Sequence, residues 1–305
     1  MKKIFSFILI FALLISLMGC AGRKKVALVI SGTEISEEIY NYYLSIITAR
    51  PTDYGLDEEP SDKELKDAAV ERCRRFVAIS TDFDERDITL TVAEKVAVAD
   101  KVNNYMLRFE KHYEKIGVSR ETLNSIFTVE AKEDAIFDSM YDKGISNEKE
   151  EAIIKRYFSQ NYVAFRSICA YFTDSSGNEI SAVEKSALTE VFANIVSEAG
   201  TASSAFTEAC NNAGYSASDI IILEKDSDGY PDGFFEKVKA QATGTVEAYE
   251  YDECIFAVRT ESLDELGDGV YGNYRSTCIE DMYSDDWEEY IANYVENFTV
   301  EEINV

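Results

Sequence analysis

The chain has 305 residues, of which 57 are Asp or Glu, 30 are Lys or Arg and one is His, a formal charge of −27. That length predicts about two domains, and 46% hydrophobic and 12% aromatic residues exclude disorder despite the charge. The carboxylate excess excludes nucleic acid as a partner, three prolines exclude a Pro-rich linker protein, and the single His removes most catalytic designs that need imidazole.

Met1-Lys2-Lys3 is a short basic start, followed by an almost unbroken apolar run from Ile4 to Met18. The run is shorter than the about 20 residues that cross a bilayer. It suits the hydrophobic region of a secretory signal, predicting a signal peptide over 1–19. Leu17-Met18-Gly19-Cys20 resembles the bacterial lipobox, which implies cleavage before Cys20 and diacylation of its thiol. A plain signal peptide with a chance Cys is the alternative. Cleavage removes Lys2 and Lys3 and no acids, taking the charge to −29. Two acyl chains on one residue anchor stably. Residues 20–25 then form the lipidated Cys and a linker, in which Arg23-Lys24-Lys25 either attract anionic headgroups by about 1 kcal/mol each or are simply solvated. The acidic remainder is repelled from the same surface.

Val26 to Ile30 reads as a strand and Ser31-Gly32 as a turn. Ser36 caps a helix carrying Ile39, Tyr43, Ile46 and Ile47 on one face. Thr52 to Asp62 reads as a loop, Lys63 to about Ile79 as a helix, and Thr81 to Asp87 as an interruption. Thr91-Val92-Ala93-Glu94 is a capping box. The spacing of Val92, Val96, Ala99, Val102, Met106, Phe109, Tyr113 and Ile116 predicts one apolar stripe on a long helix closed by Gly117. Ser119 opens a further helix, and another covers Asn147 to Phe158.

At Asn161 the pattern changes. Tyr162 to Phe172 alternates as a strand should. Ser181-Ala182-Val183-Glu184 is a second capping box, opening a helix to about Ala199, and a shorter helix holds Phe206, Ala209 and Cys210. Ile220–Leu223 and Glu253–Arg259 read as strands, with Gly229, Gly233 and Gly244 between them. The whole is of α+β class. Ser284 is the expected cap of a final helix whose stripe of Trp287, Ile291, Tyr294 and Phe298 needs a partner.

Beyond Cys20, five cysteines remain: Cys73, Cys169, Cys210, Cys254 and Cys278. No pair forms Cys-x-x-Cys, so neither zinc nor a thioredoxin-like site is supported. Cys169 and Cys254 fall in strand-like runs that can face each other, and buried free thiols are expected for most of the five. Gly267-Asp268-Gly269-Val270-Tyr271-Gly272 spells a nucleotide loop, but no apolar strand leads into it and the acids around it repel pyrophosphate, so a flexible loop is expected. Asp226-Ser227-Asp228-Gly229 fails the calcium-loop spacing and reads as a turn. His112 sits off the apolar stripe between Glu110 and Glu114, as a solvated surface residue does. No catalytic constellation, metal site or cofactor is expected.

Together these parts resemble the SurA/PrsA-type exported foldases, chiefly their lipoprotein members. Ile30-Ser31-Gly32-Thr33-Glu34-Ile35 is similar to their V-N-G-x-x-I opening, with Ser31 in place of Asn, and Tyr113-Glu114-Lys115-Ile116-Gly117-Val118-Ser119 resembles the middle of their chaperone domain. Residues 161–262 resemble a diverged parvulin, the prolyl isomerase domain of these foldases. The matching parts are Ala205-Phe206-Thr207-Glu208-Ala209, Phe234-Phe235, Ala242-Thr243-Gly244-Thr245-Val246 and the strand from Cys254 to Arg259. The resemblance implies a helical chaperone domain over 26–160, an inserted parvulin-like domain over 161–262, and a linker with a C-terminal helix over 263–305 that folds back onto the first domain. Active parvulins carry one His in the first strand and one in the last. Here Ser167 takes the first position and Ile255 or Phe256 the last, and no His occurs from 113 to 305.

The resemblance therefore implies a degenerate isomerase site, with weak or no turnover, and a possible peptide cleft among Ser167, Phe206, Phe234, Phe235, Ile255 and Phe256. Turnover would have to lower a barrier of about 18–20 kcal/mol. The expected function is a chaperone or holdase, lipid-anchored at the extracytoplasmic face of a bacterial membrane. Its partners would be unfolded or newly exported proteins, with no small-molecule substrate. An active isomerase with an atypical site, or a dedicated interaction or adhesion lipoprotein, are the alternatives.

Overall fold

The computed structural model describes residues 25–142, 148–200 and 202–303, so the expected signal peptide, the lipobox-like segment and Cys20 lie outside the described residues. These residues divide into two units, 25–142 with 284–303, and 148–283. The class is α+β, with two small antiparallel sheets.

In the first unit, β1 (Val26–Ile30) and β2 (Thr33–Ser36) form a hairpin. Its two turn residues, Ser31 and Gly32, both take positive φ, 46° and 86°, the backbone that right-twisted strands accept in a two-residue turn. Serine pays a steric cost there, and its side chain is put to use. Ser31 Oγ accepts from Thr299 N at 3.0 Å while Ser31 N donates to Thr299 O at 2.8 Å. That brings in β7 (Val300–Glu302), which pairs with β1. Both β2 and β7 are too short to stand out by alternation in the sequence.

Ser36 caps α1 (Glu37–Ala49), which buries Tyr40, Tyr42, Tyr43 and Ile47. The next helix, α2 (Asp62–Glu85), corrects the expected interruption at Thr81. Ser80 and Thr81 donate back to the Phe76 and Val77 carbonyls at 2.9 Å, so their hydroxyls are satisfied inside the helix and do not break it. In α3 (Val92–Ile116) the Thr91/Glu94 capping box and the Gly117 C-cap (φ 70°) are as expected, but the stripe is so only in part. The buried residues are Val98, Val102 and Tyr113, while Val92, Val96, Leu107 and Phe109 are exposed. Non-helical dihedrals at Phe109 (φ −127°, ψ 17°) kink the helix. The expected stripe holds for Val102, Met106, Tyr113 and Ile116, which pack on the core, whereas Val92 and Val96 lie part of a turn round the helix from that face. In α4 (Arg120–Phe137), Ser119 is the N-cap, and Glu38 of α1 accepts from Ser119 N at 3.0 Å and Ser119 Oγ at 2.6 Å.

The second unit begins with α5 (Glu148–Asn161) and holds a sheet of order β4-β3-β6-β5. Its strands are β3 (Tyr162–Tyr171), β4 (Ile221–Glu224), β5 (Val246–Glu250) and β6 (Cys254–Glu261), all paired antiparallel. One face carries Ile168, Ile255 and Ala257 under α6 (Ala182–Glu198) and α7 (Ser203–Asn212), packed on Phe192, Ile195, Phe206, Ala209 and Cys210. The other face carries Val163, Phe165, Cys254, Phe256 and Val258 against α8 (Phe234–Ala240).

The last helix, α9 (Asp268–Val295), corrects two expectations at once: the glycine-rich segment is helical from Asp268, and Ser284 lies inside the helix instead of capping it. In the second unit Tyr271 and Tyr274 ring-pack with Phe158 of α5, and Arg275 pairs with Glu151 at 3.1 Å, contacts that outweigh the low helix propensity of Gly269 and Gly272. The division between units falls within α9, after Tyr283. From there Trp287, Ile291 and Val295 pack in the first unit with Ala78, Ile79, Phe83 and Ile136. No helix among the described residues is long and apolar enough to cross a membrane.

Candidate functional site

A cleft of about 380 Å³ opens on the α8 face of the second sheet. Strand β3 supplies Ser167, Ile168, Cys169 and Tyr171, and Phe256 stands across from Cys169 in the register of β6. The segment before β4 adds Tyr215, Ser216 and Ser218, and the loop before α8 adds Gly229 and Tyr230. Alternation along β3 places 167, 169 and 171 on one face.

Local bonding fixes this wall. Ser218 N donates to Ser167 O at 2.9 Å and Ser218 Oγ accepts from Ser167 N at 3.0 Å, so the segment before β4 continues the sheet edge beside Ser167. The far wall is aromatic. Tyr230 stacks on Phe234 with centroids 4.5 Å apart, and Phe234 lies 4.9 Å from Phe256 and 5.3 Å from Phe165. Gly229 takes φ 95°, a conformation that lets the loop turn Tyr230 back over the sheet. Behind Phe234, a buried amide network ties α8 to both strands. Gln241 Nε2 donates to Val258 O at 3.0 Å and Thr245 O at 2.7 Å, and Tyr249 OH donates to Gln241 Oε1 at 2.8 Å.

None of the lining side chains is Asp, Glu, Lys, Arg or His. Burial pushes the Cys169 thiol up to about 12, helped by the neighbouring Cys254, and burial also raises the Tyr230 phenol. The cleft is therefore uncharged at neutral pH on an otherwise acidic chain. It offers aromatic faces, hydroxyls and one thiol, but no group that exchanges a proton near pH 7. Such a surface can take up an aromatic or aliphatic side chain and hydrogen-bond its backbone.

The residues singled out from sequence divide between the two faces. Ser167 and Phe256 line the cleft, Phe234 (1% exposed) forms its floor behind Tyr230, and Phe235 is half-buried in the same cluster. Ile255 and Phe206 lie in the opposite layer under α6 and α7, because Ile255 alternates away from Phe256 and Phe206 points from α7 into the helix side of the sheet. Tyr171, Tyr215, Ser218, Tyr230 and Cys169 were missed. Counting by twos from Ser167 reaches Cys169 and Tyr171, but no local signal marks the loop residues. In the first unit the exposed His112 bonds through Nε2 to Ser45 Oγ at 2.8 Å. Among the described residues no group of His, Cys, Asp and Glu side chains is placed to hold a metal.

No protein-family model matches the sequence, and no curated protein matches it. Among solved structures, the chain is similar to the foldase PrsA from Streptococcus pneumoniae (10% identity over 90% of this chain and 93% of that one, TM-score 0.39). It is also similar to the foldase PrsA from Lactococcus lactis (13% identity, 92% and 96%, TM-score 0.40). A structure of SurA-like chaperones from Campylobacter jejuni matches at 9% identity over 92% and 100%, with a TM-score of 0.31.

Proposed function

We propose that this chain is an extracytoplasmic chaperone that holds unfolded or newly exported proteins, tethered to the membrane through a lipidated Cys20, without isomerase turnover. The observation that carries the reading is the cleft itself: aromatic, hydroxyl-lined and free of charged side chains on a chain of formal charge −27. Apolar client side chains gain roughly 25 cal/mol per Å² on burial there, while the acidic exterior keeps the loaded complex soluble. A second set of apolar side chains supports the same reading. Along α3, the pair Val92 and Val96 and, further on, Leu107 are exposed, Leu107 to 85%, and offer apolar side chains to a client. With Ser167 and either Ile255 or Phe256 read at the positions where active parvulins carry histidines, and no His from 113 to 305, the cleft has no imidazole to act on a twisted amide.

The test is aggregation of a chemically unfolded client, followed by light scattering against increasing amounts of the chain from Ala21 onward. Suppression near stoichiometric amounts is the expected result. No suppression across a tenfold excess would overturn it and favour a dedicated interaction lipoprotein. In a parallel assay on a short proline peptide, no acceleration of cis/trans exchange is expected. The anchor is tested separately: labelled fatty acid is expected on the natural chain expressed in a bacterium and absent from Cys20→Ala.

A further inference from the structure

Cys169 and Cys254 lie on adjacent strands of the second unit and on the same face of the sheet. Each thiol is close enough to the other to perturb its proton affinity. The register places Cys169 opposite Phe256 and Cys254 opposite Tyr171, so the two are diagonal neighbours. Cys169 is half-buried and lines the cleft, whereas Cys254 is buried beneath it. The other thiols are placed elsewhere: Cys73 in the first unit, Cys210 in the helix layer on the far side of the sheet, and Cys278 on α9. All five are free.

We propose that Cys169 and Cys254 are a modification site, a thiol pair that closes to a disulfide in the wall of the cleft when a small disulfide oxidant enters it. The steps follow from access. A disulfide R–S–S–R reaches Cys169 from the cleft, the Cys169 sulfur takes one RS group, and one RSH leaves. Cys254 then attacks the Cys169 sulfur and expels the second RSH. Both proton losses are balanced by the two thiols released, and the two protein thiols are oxidised as one oxidant disulfide is reduced. Because burial raises both thiols, closure is slow at neutral pH and accelerates as pH rises.

Diagonal neighbours in a sheet have Cα atoms about 7–8 Å apart, just beyond the usual disulfide span of about 4.4–6.8 Å. One end must move. Cys254 is the first residue of β6, preceded by the exposed turn residues Asp252 and Glu253 and held by Tyr251 N donating to Cys254 O and Phe172 N donating to Glu253 O, both at 2.8 Å. The hairpin end is the part that yields, so closure pulls on the cleft wall without crossing the core. This inference does not depend on the chaperone reading.

The test uses the full chain carrying Cys20→Ser, incubated natively with oxidised glutathione and read by intact mass and peptide mapping. The expected product has lost two hydrogens, with the Cys169 and Cys254 peptides linked. Cys254→Ser is expected to stop at a glutathione adduct on Cys169, and Cys169→Ser to leave Cys254 unreacted in the folded state. Three results would overturn the proposal. One is a persistent adduct on Cys169 in the chain that retains Cys254. Another is a link to Cys210 or Cys278, and the third is reaction no faster than that of the fully buried Cys73.

Discussion

The Tyr290 hydroxyl donates to Asp82 at 2.9 Å and accepts from Arg86 at 2.6 Å, so a phenol on α9 completes the shell of a carboxylate that is only 3% exposed on α2. Arg86 reaches the same carboxylate at 2.7 Å. Tyr290→Phe keeps the ring but leaves one carboxylate oxygen short of a donor, and hydrogen bonds to charged groups are worth about 1.5–3 kcal/mol. With Arg86 still in place, a loss of about 1.5 kcal/mol at the low end is expected, read as a lower urea midpoint with unchanged slope. Asp82→Ala is expected to cost more, because it orphans both Arg86 and Tyr290.

The exposed apolar side chains of α3 separate binding from folding. Leu107, Val96 and Val92 make little buried contact, so replacing them by Ser should shift stability by no more than about 0.5 kcal/mol. Tyr171, 66% exposed at the cleft mouth, is equally free to change. The expected outcome is weaker suppression of client aggregation in both Leu107→Ser with Val96→Ser and Tyr171→Ser, at an unchanged melting temperature. Equal suppression in all variants would mean that neither surface holds clients.

Much of this architecture is legible because its signals are local. The Thr91/Glu94 and Ser181/Glu184 capping boxes appear in the structure as reciprocal side-chain and backbone bonds, since the residues involved are three apart and need no tertiary partner. The C-cap at Gly117 is similar. What stayed hidden depends on partners distant in sequence. Strand β5 shows one buried side chain, Tyr249, whose place is set by Gln241. The first turns of α9 are glycine-rich and become helical against α5. Alternation says that Ile255 and Phe256 face opposite ways, yet it does not say which of them meets the cleft. Phe206 and Phe234 are both buried aromatics on short helices, and only the sheet between them separates the two layers.

A carboxylate in the second unit gives stability a pH slope. Glu224, at the end of β4, is raised above the ordinary carboxylate value of 4.5, first by burial and then by the negative charge of Asp281 on α9. Tyr162, Asp226 and Cys278 are the other titratable groups around this pair. The folded state therefore holds a proton that the unfolded chain has released, so the contribution is present below the ordinary carboxylate value and is lost as pH rises through the raised one. Glu224→Gln mimics the protonated form. It is expected to raise the melting temperature at neutral pH and to flatten the slope on the acid side of neutrality, with little difference from the natural chain at pH 4. A melting temperature for Glu224→Gln below that of the natural chain at pH 7 would show that the ionised carboxylate, not the neutral one, is the stabilising form.

The cleft floor rests on the amide of Gln241, which is buried at the end of α8 and satisfies carbonyls of Thr245 and Val258 while accepting from Tyr249. Gln241→Leu fills similar volume but takes the amide donor from the buried Val258 carbonyl, at about 1–3 kcal/mol where water cannot replace it, while Thr245 O keeps Thr260 N at 3.3 Å and the Tyr249 phenol keeps Lys237 O at 3.2 Å. Tyr249→Phe removes only the phenol and leaves both carbonyls paired. The larger fall in urea midpoint is thus expected for Gln241→Leu, and the double variant should fall by less than the sum, because both changes break the same bond. Since α8 carries Phe234, and Phe234 supports Tyr230, loosening this network is also expected to weaken client suppression. Tyr249→Phe should leave that suppression nearly intact, which separates support of the cleft floor from a general loss of stability.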